Sequence, residues 1–153
     1  MKRIIISLIF ILANNALSYD PLRASMLTST SGMKAQSKRL QIITQNIANK
    51  DSVATNIDGK PYRRKLVILK VQSNRGLGAE TISAKESTDK SAFRLIYDPN
   101  HPFANIEGYV EYPNIDLNIE NADSKNTIIS YEANVNMIET AKNLYLKTID
   151  LIK

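Results

Sequence analysis

Two seams of apolar residues at heptad spacing, one towards each end of the chain, constrain its fold more than any other feature. The first runs Met26, Ser29, Met33, Gln36, Leu40, Ile43 and Ile47; it is apolar except at Ser29 and Gln36, and clearest in its second half. Residues three and four apart share a helical face, so this spacing predicts a helix over roughly 21–50. Asp20 is placed to cap it, and Pro21 suits a first turn, where a missing N–H costs nothing. Lys34, Lys38, Arg39 and Gln45 form its polar face. The second seam, Ile128, Tyr131, Val135, Ile138, Lys142, Tyr145, Ile149 and Ile152, predicts a helix over about 123–152. A neighbouring stripe of Met137, Ala141, Leu144, Thr148 and Leu151 widens its apolar surface beyond what one partner needs. Pairing the two helices is the economical way to bury both seams.

The stretch between them has little helical period. Leu66 to Val71 reads as a buried strand, and Phe93, Leu95 and Tyr97 alternate with Arg94 and Ile96 as a second. Tyr109-Val110-Glu111-Tyr112 is a short third candidate. Ile115, Leu117 and Ile119 alternate with polar residues, as a strand or as an extended lead into the second helix. From Gln72 to Ala92 the chain is rich in Ser, Thr, Gly and charge, with Leu77 and Ile82 as apolar anchors, and reads as a mobile loop or a hairpin. The expected class is therefore α+β: long N- and C-terminal helices paired as a coiled-coil-like unit, with a small central β-rich insert. The expected divisions are 1–18, 19–50, 51–120 and 121–153.

The first division has its own logic. Lys2 and Arg3 precede an almost wholly apolar run from Ile4 to Ala13, and Ala16-Leu17-Ser18 follows with small residues at its ends. This is the layout of a secretory signal cleaved after Ser18, and the run is short of the ~20 residues a membrane span takes. An uncleaved anchor is the rival reading, and a buried strand or helix the plainest one. Loss of Lys2 and Arg3 would lower the formal charge of +5.

Little here points to chemistry. The chain has no Cys and one His, which removes disulfides, thiolate sites and a multi-histidine zinc centre. Asp98 and His101, in Asp98-Pro99-Asn100-His101-Pro102, lack a recognisable nucleophile and are expected to form a turn. Asn114, Asp116, Asn118 and Glu120 alternate like calcium ligands but lack the central Gly and the closing Glu. No catalytic, cofactor-binding or metal-binding residue is assigned. Lys60, Arg63, Arg64 and Lys65 form the densest basic cluster. It suits a solvated strand entry or a salt-bridging contact to a neighbouring subunit better than a phosphate or RNA site.

Several stretches together carry a resemblance. Ser31-Gly32-Met33-Lys34-Ala35-Gln36 and Gln45-Asn46-Ile47-Ala48-Asn49 resemble the first helix of the flagellar rod and hook axial proteins. Pro61-Tyr62-Arg63-Arg64-Lys65 resembles the strand entry that follows it. Tyr97-Asp98-Pro99-Asn100-His101-Pro102 and Glu107-Gly108-Tyr109-Val110 resemble a central region particular to proximal-rod subunits, and Ser130 to Val135 with Ala141-Lys142 resembles the final helix. The similarity covers about 22–153. It implies a structural, non-catalytic protein whose terminal helices pack in the inner tube of a rod, with the β-rich part further out.

The implied partners are other rod proteins, further copies of the chain, and basal-body ring and export-gate components in the periplasm. Nucleic acid is not among them, and membrane contact is confined to the signal segment. Met33, Leu40, Ile43, Asn46, Ile47, Asn49, Tyr131, Val135, Ile138, Tyr145 and Ile149 are the expected assembly residues, with Lys60, Arg63, Arg64 and Lys65 as a basic contact. Asn46 and Asn49 are expected to cap or bond backbone at their helix end, or to reach across a subunit boundary. One departure stands out: the family normally begins just before the first helix and leaves through the flagellar export apparatus without a cleaved signal. An adaptor with a rod-protein fold serving another secretion assembly is the alternative function; a nucleic-acid binder and a hydrolase rank behind it.

Overall fold

A computed structural model of the chain describes residues 20–53, 59–74, 76 and 78–152. The expected secretory segment at 1–18 and the anchor Leu77 lie outside the described residues. Helix α1 spans Pro21–Ala48. The Asp20 carboxylate accepts from the Leu22 and Arg23 amides at 3.1 and 3.2 Å, the two donors an N-cap satisfies. Helix α2 spans Leu117–Asp150 and starts ahead of the expected Asp123. Asp116 caps it through the Asn118 amide at 2.8 Å, and Glu120 adds an acidic side chain to its first turn, where the helix dipole favours one. The alternation at 115–119 therefore splits: Ile115 is a buried residue ahead of the helix, while Leu117 and Ile119 are helical and exposed.

The two helices pack antiparallel. Arg39 meets Asp123 towards one end, and Arg23 and Met26 share a groove with Tyr145 and Leu146 towards the other. The pairing does not use the expected seams. On α1 the buried residues are Ala24, Ser29, Gly32, Ala35, Ile42, Ile43 and Asn46, so only Ser29 and Ile43 of the predicted seam are buried; Met26, Met33, Gln36, Leu40 and Ile47 are half-buried. On α2 the buried residues are Glu120, Thr127 and Ala141, whereas Ile128, Tyr131, Lys142, Tyr145, Ile149 and Ile152 are exposed. Small residues explain the shift, because they let two backbones approach closely. A Cβ on Gly32 would stand 2.7 Å from Asn134 Oδ1.

Strands β1 (Lys65–Asn74) and β2 (Ala79–Thr88) form an antiparallel hairpin, with Lys65 opposite Thr88 and Asn74 opposite Ala79. The Ser/Thr-rich segment is thus mostly ordered strand. The hairpin rests its β2 side on α1, where the Ile82 amide donates to Ser31 Oγ at 2.9 Å. The expected buried strand is half-buried only at its base; Ile68, Leu69 and Val71 are exposed. Ile68 points to the outer face, which has no second layer to cover it; Leu69 and Val71 are on the other face, further along the hairpin from its half-buried base. Strands β3 (Arg94–Tyr97) and β4 (Tyr109–Tyr112) form a second small antiparallel sheet. Between them Gly108 has φ 82°, and a Cβ there would meet Tyr97 Cε2 at 2.9 Å. Ile42, Val110, Pro113 and Ile115 are the largest apolar side chains shut from solvent.

Candidate assembly interface

The most densely bonded feature of the geometry is a polar junction where α1 ends, β1 begins and α2 begins. Asn46 faces inward from the last turns of α1 and is 1% exposed. Its Nδ2 donates to the Lys65 carbonyl at 2.8 Å and to Glu120 Oε2 at 3.1 Å. Its Oδ1 accepts from the Lys65 amide at 2.9 Å and from the Tyr62 hydroxyl at 3.1 Å. Both donors and both acceptor positions of this amide are filled, which is what a buried Asn needs. Its role is to bond the entering strand's backbone and not to cap the helix. Asn49 does the capping, donating to the Gln45 carbonyl at 2.8 Å.

Glu120, fully buried, accepts from Arg64 Nε at 2.6 Å. Arg64 also lies 3.5 Å from Asp89 and 3.9 Å from Asp123. Burial opposes the Arg64 charge, but the hydrogen bond and charge of Glu120, then those of Asp89, outweigh it and hold the guanidinium above its ordinary pKa. Burial likewise raises the Tyr62 phenol. One element from each part of the chain is therefore fixed to the others at one point.

This arrangement corrects the basic cluster. Arg63 stacks its guanidinium 4.0 Å from the centre of the Phe93 ring and donates to the Asp89 and Ser91 carbonyls. Lys65 pairs with Glu86 at 2.8 Å, and that hydrogen bond raises the Lys65 ammonium and lowers the Glu86 carboxyl. Three of the four charges are thus engaged within the chain, and Lys60 stays exposed. Of the residues expected at subunit contacts, Ile43 and Asn46 are buried inside the chain. Met33, Leu40, Ile47, Asn49, Val135 and Ile138 are half-buried, and Tyr131, Tyr145 and Ile149 are exposed.

Sequence reasoning missed Glu120 as the partner of Arg64. No local signal marked it: Glu120 is one of several polar residues in an alternating run, 56 residues from Arg64. The other pieces of the calcium-like alternation are also structural: Asn114 Oδ1 accepts from the Arg64 amide at 2.9 Å, and Asp116 is the cap. His101 sits in a turn, its amide bonded to the Asp98 carbonyl and its Nδ1 accepting from the Phe103 amide. Among the described residues no group of three or more His, Asp or Glu side chains is arranged to hold a metal ion.

What remains unabsorbed is apolar surface. On α2, Ile128, Ile129, Tyr131, Met137, Leu144, Tyr145, Leu146 and Ile149 are exposed after pairing with α1. At 3.6 residues per turn these side chains point to several sides of the helix, so the exposed apolar surface suits more than one neighbour. Comparison with known proteins agrees with a chain built for association. Residues 26–54 match the family model described as flagella basal body rod protein, a span that includes Asn46 and Asn49. A flagellar basal-body rod protein FlgC of Agrobacterium fabrum is 38% identical over 135 residues, covering 88% of this chain and 97% of the relative. That of Salmonella typhimurium is 40% identical over 124 residues, covering 79% and 90%. That of Bacillus subtilis is 35% identical over 147 residues, covering 84% and 97%. The chain belongs to the FlgC family of flagellar basal-body rod proteins.

Proposed function

We propose that this chain is a structural, non-catalytic subunit of the proximal part of the flagellar rod, assembling through its terminal helices in support of motility. The observation that carries the reading is the apolar surface of α2 left exposed once α1 is packed, from Ile128 to Ile149. Burying such a face against neighbours contributes about 25 cal/mol per Å² of apolar surface. The contacts join unlike surfaces and do not close, which is how a helical rod grows. The partners are further copies of the chain, other rod subunits, and ring and export-gate components.

The test substitutes Val135→Asp and Ile138→Asp together and follows incorporation into isolated basal bodies. Loss of incorporation with retained helix content supports the reading; normal incorporation overturns it. Placement in the periplasm, after removal of residues 1–18 as a secretory signal, is part of the same proposal. Mass spectrometry of the assembled subunit is expected to find Tyr19 at the N-terminus, and an intact Met1 would rule out cleavage.

A further inference from the structure

We infer that the outer face of the β1–β2 hairpin docks on the exposed face of α2 in a second copy of the chain. The inference rests on the rod-subunit reading and names the surface that meets its exposed helix. Alternation and register put Leu66, Ile68, Lys70 and Gln72 on one hairpin face with Ser83, Lys85 and Ser87. The opposite face carries Lys65 and Glu86, which pair with each other, and Glu86 also pairs with Lys38 of α1. The α1 side of the hairpin is therefore internally balanced. The outer face is not: Ile68, Lys70 and Lys85 are exposed, and among the described residues neither lysine is paired with a carboxylate. Ile68 lies opposite Lys85 and Lys70 lies opposite Ser83, which makes the lysines diagonal neighbours, about 7–8 Å apart at the backbone and closer at Cβ. Two like charges flanking an apolar side chain repel within the subunit and await an acidic partner.

That partner exists on α2. Ile128, Glu132, Val135 and Glu139 follow the alternating four- and three-residue spacing of one helical stripe, next to Tyr131 and Ile138. Glu132 and Glu139 are exposed, and among the described residues neither is paired with a base. Two turns of helix separate them by ~10 Å, a gap that two extended lysine side chains span. The complement is residue for residue in character: two bases about an isoleucine on the hairpin, two acids about a valine on the helix. Lys125 and Lys142 bound the acidic stretch at either end, so sliding the hairpin along α2 sets like charges together and fixes the register. Hairpin and helix face are different surfaces, so each copy offers both and the contact propagates.

The experiment is sedimentation velocity on the full chain at low and high salt. Lys70→Glu with Lys85→Glu, and separately Glu132→Lys with Glu139→Lys, are each expected to weaken self-association about tenfold or more. An equimolar mixture of the two double variants, and the quadruple variant, is expected to restore it, because every junction then again pairs opposite charges. All four substituted positions are exposed, and circular dichroism checks that the fold is kept. The chain has no Cys, so Ile68→Cys mixed with Val135→Cys gives a second readout, an oxidative crosslink absent from either variant alone. Unchanged association in both double variants, or failure of the mixture to recover, overturns the inference. So does a wild-type chain that binds only other rod subunits. If Val135→Asp with Ile138→Asp abolishes rod incorporation while charge reversal has no effect, this docking mode falls and the rod-subunit reading stands.

Discussion

Glu120 is the side chain on which most of the junction depends. It touches Asn46 from α1 and Arg64 from the strand entry, and solvent reaches none of it. Without Glu120, Arg64 keeps Asp89 at 3.5 Å and Asp123 at 3.9 Å, but one buried donor of Asn46 loses its acceptor, at a cost of about 1–3 kcal/mol. Glu120→Ala is therefore expected to lose that much stability in urea unfolding, a sizeable share of the ~5–15 kcal/mol typical of a domain. Asp123→Ala, which removes a part-exposed carboxylate at 3.2 Å from Arg39, is expected to cost at most about 1 kcal/mol. Equal losses for the two would contradict the junction's role. The pH dependence has two flanks. The Ser91 amide, then its hydroxyl, with Arg64 in support, hold the Asp89 carboxyl below its usual range despite burial. A depressed acid stabilises the fold above its unfolded pKa, near 3.9, and that contribution is lost as pH falls through the folded value. Lys65 is raised, so its contribution is complete below about 10.4 and is lost as pH climbs past the folded value. Urea midpoints should decline at both extremes, and Asp89→Asn should reduce the acid-side decline alone, leaving the part that the depressed Glu86 contributes.

At the scale of the helices, Gly32 and Asn134 mark the closest approach. Alanine in a helix gains up to about 1 kcal/mol over glycine. Here the added Cβ would press on the Asn134 side chain, which donates to the Ser130 carbonyl at 2.8 Å. Gly32→Ala is expected to stabilise the Asn134→Ala background and to give less, or a loss, in the wild-type chain; a double-mutant cycle in urea measures the difference. The same contact explains how much of the fold was legible beforehand. Helix positions, three of the four strand regions and the α+β class follow from period and caps, which are local; β2 lies in the Ser/Thr-rich stretch that reads equally as a mobile loop or a hairpin. The packing face of each helix does not, because a seam of Gly, Ala, Ser, Thr and Asn has no hydrophobic period to read. The apolar period of α2 was real, but it belongs to a surface this chain leaves open. The Arg64–Glu120 pair was illegible because its members are distant in sequence and each has an ordinary local explanation.

For the whole molecule, the unequal helices have a consequence. α1 has 28 residues and α2 has 34. The start of α1, at Asp20 and Arg23, shares its groove with Lys142, Tyr145 and Leu146. The last turn of α2 therefore runs beyond the described part of its partner, with Leu146 and Ile149 exposed and Leu151 beyond them 87% exposed. A terminal turn with few buried contacts opens locally at little cost, so its amides exchange with solvent far faster than global unfolding permits. Around Thr127 and Ala141 the same helix is shut against α1 and should exchange slowly. On the proposed assembly mode, neighbours cover the exposed end with apolar surface and raise the local opening energy. Hydrogen exchange read by mass spectrometry is thus expected to show 146–150 fast in the dissociated subunit and strongly protected in isolated basal bodies, with 124–141 little changed. Equal protection of 146–150 in both states would mean that the overhang is not a subunit contact, and that the exposed face ends nearer Tyr131 and Val135.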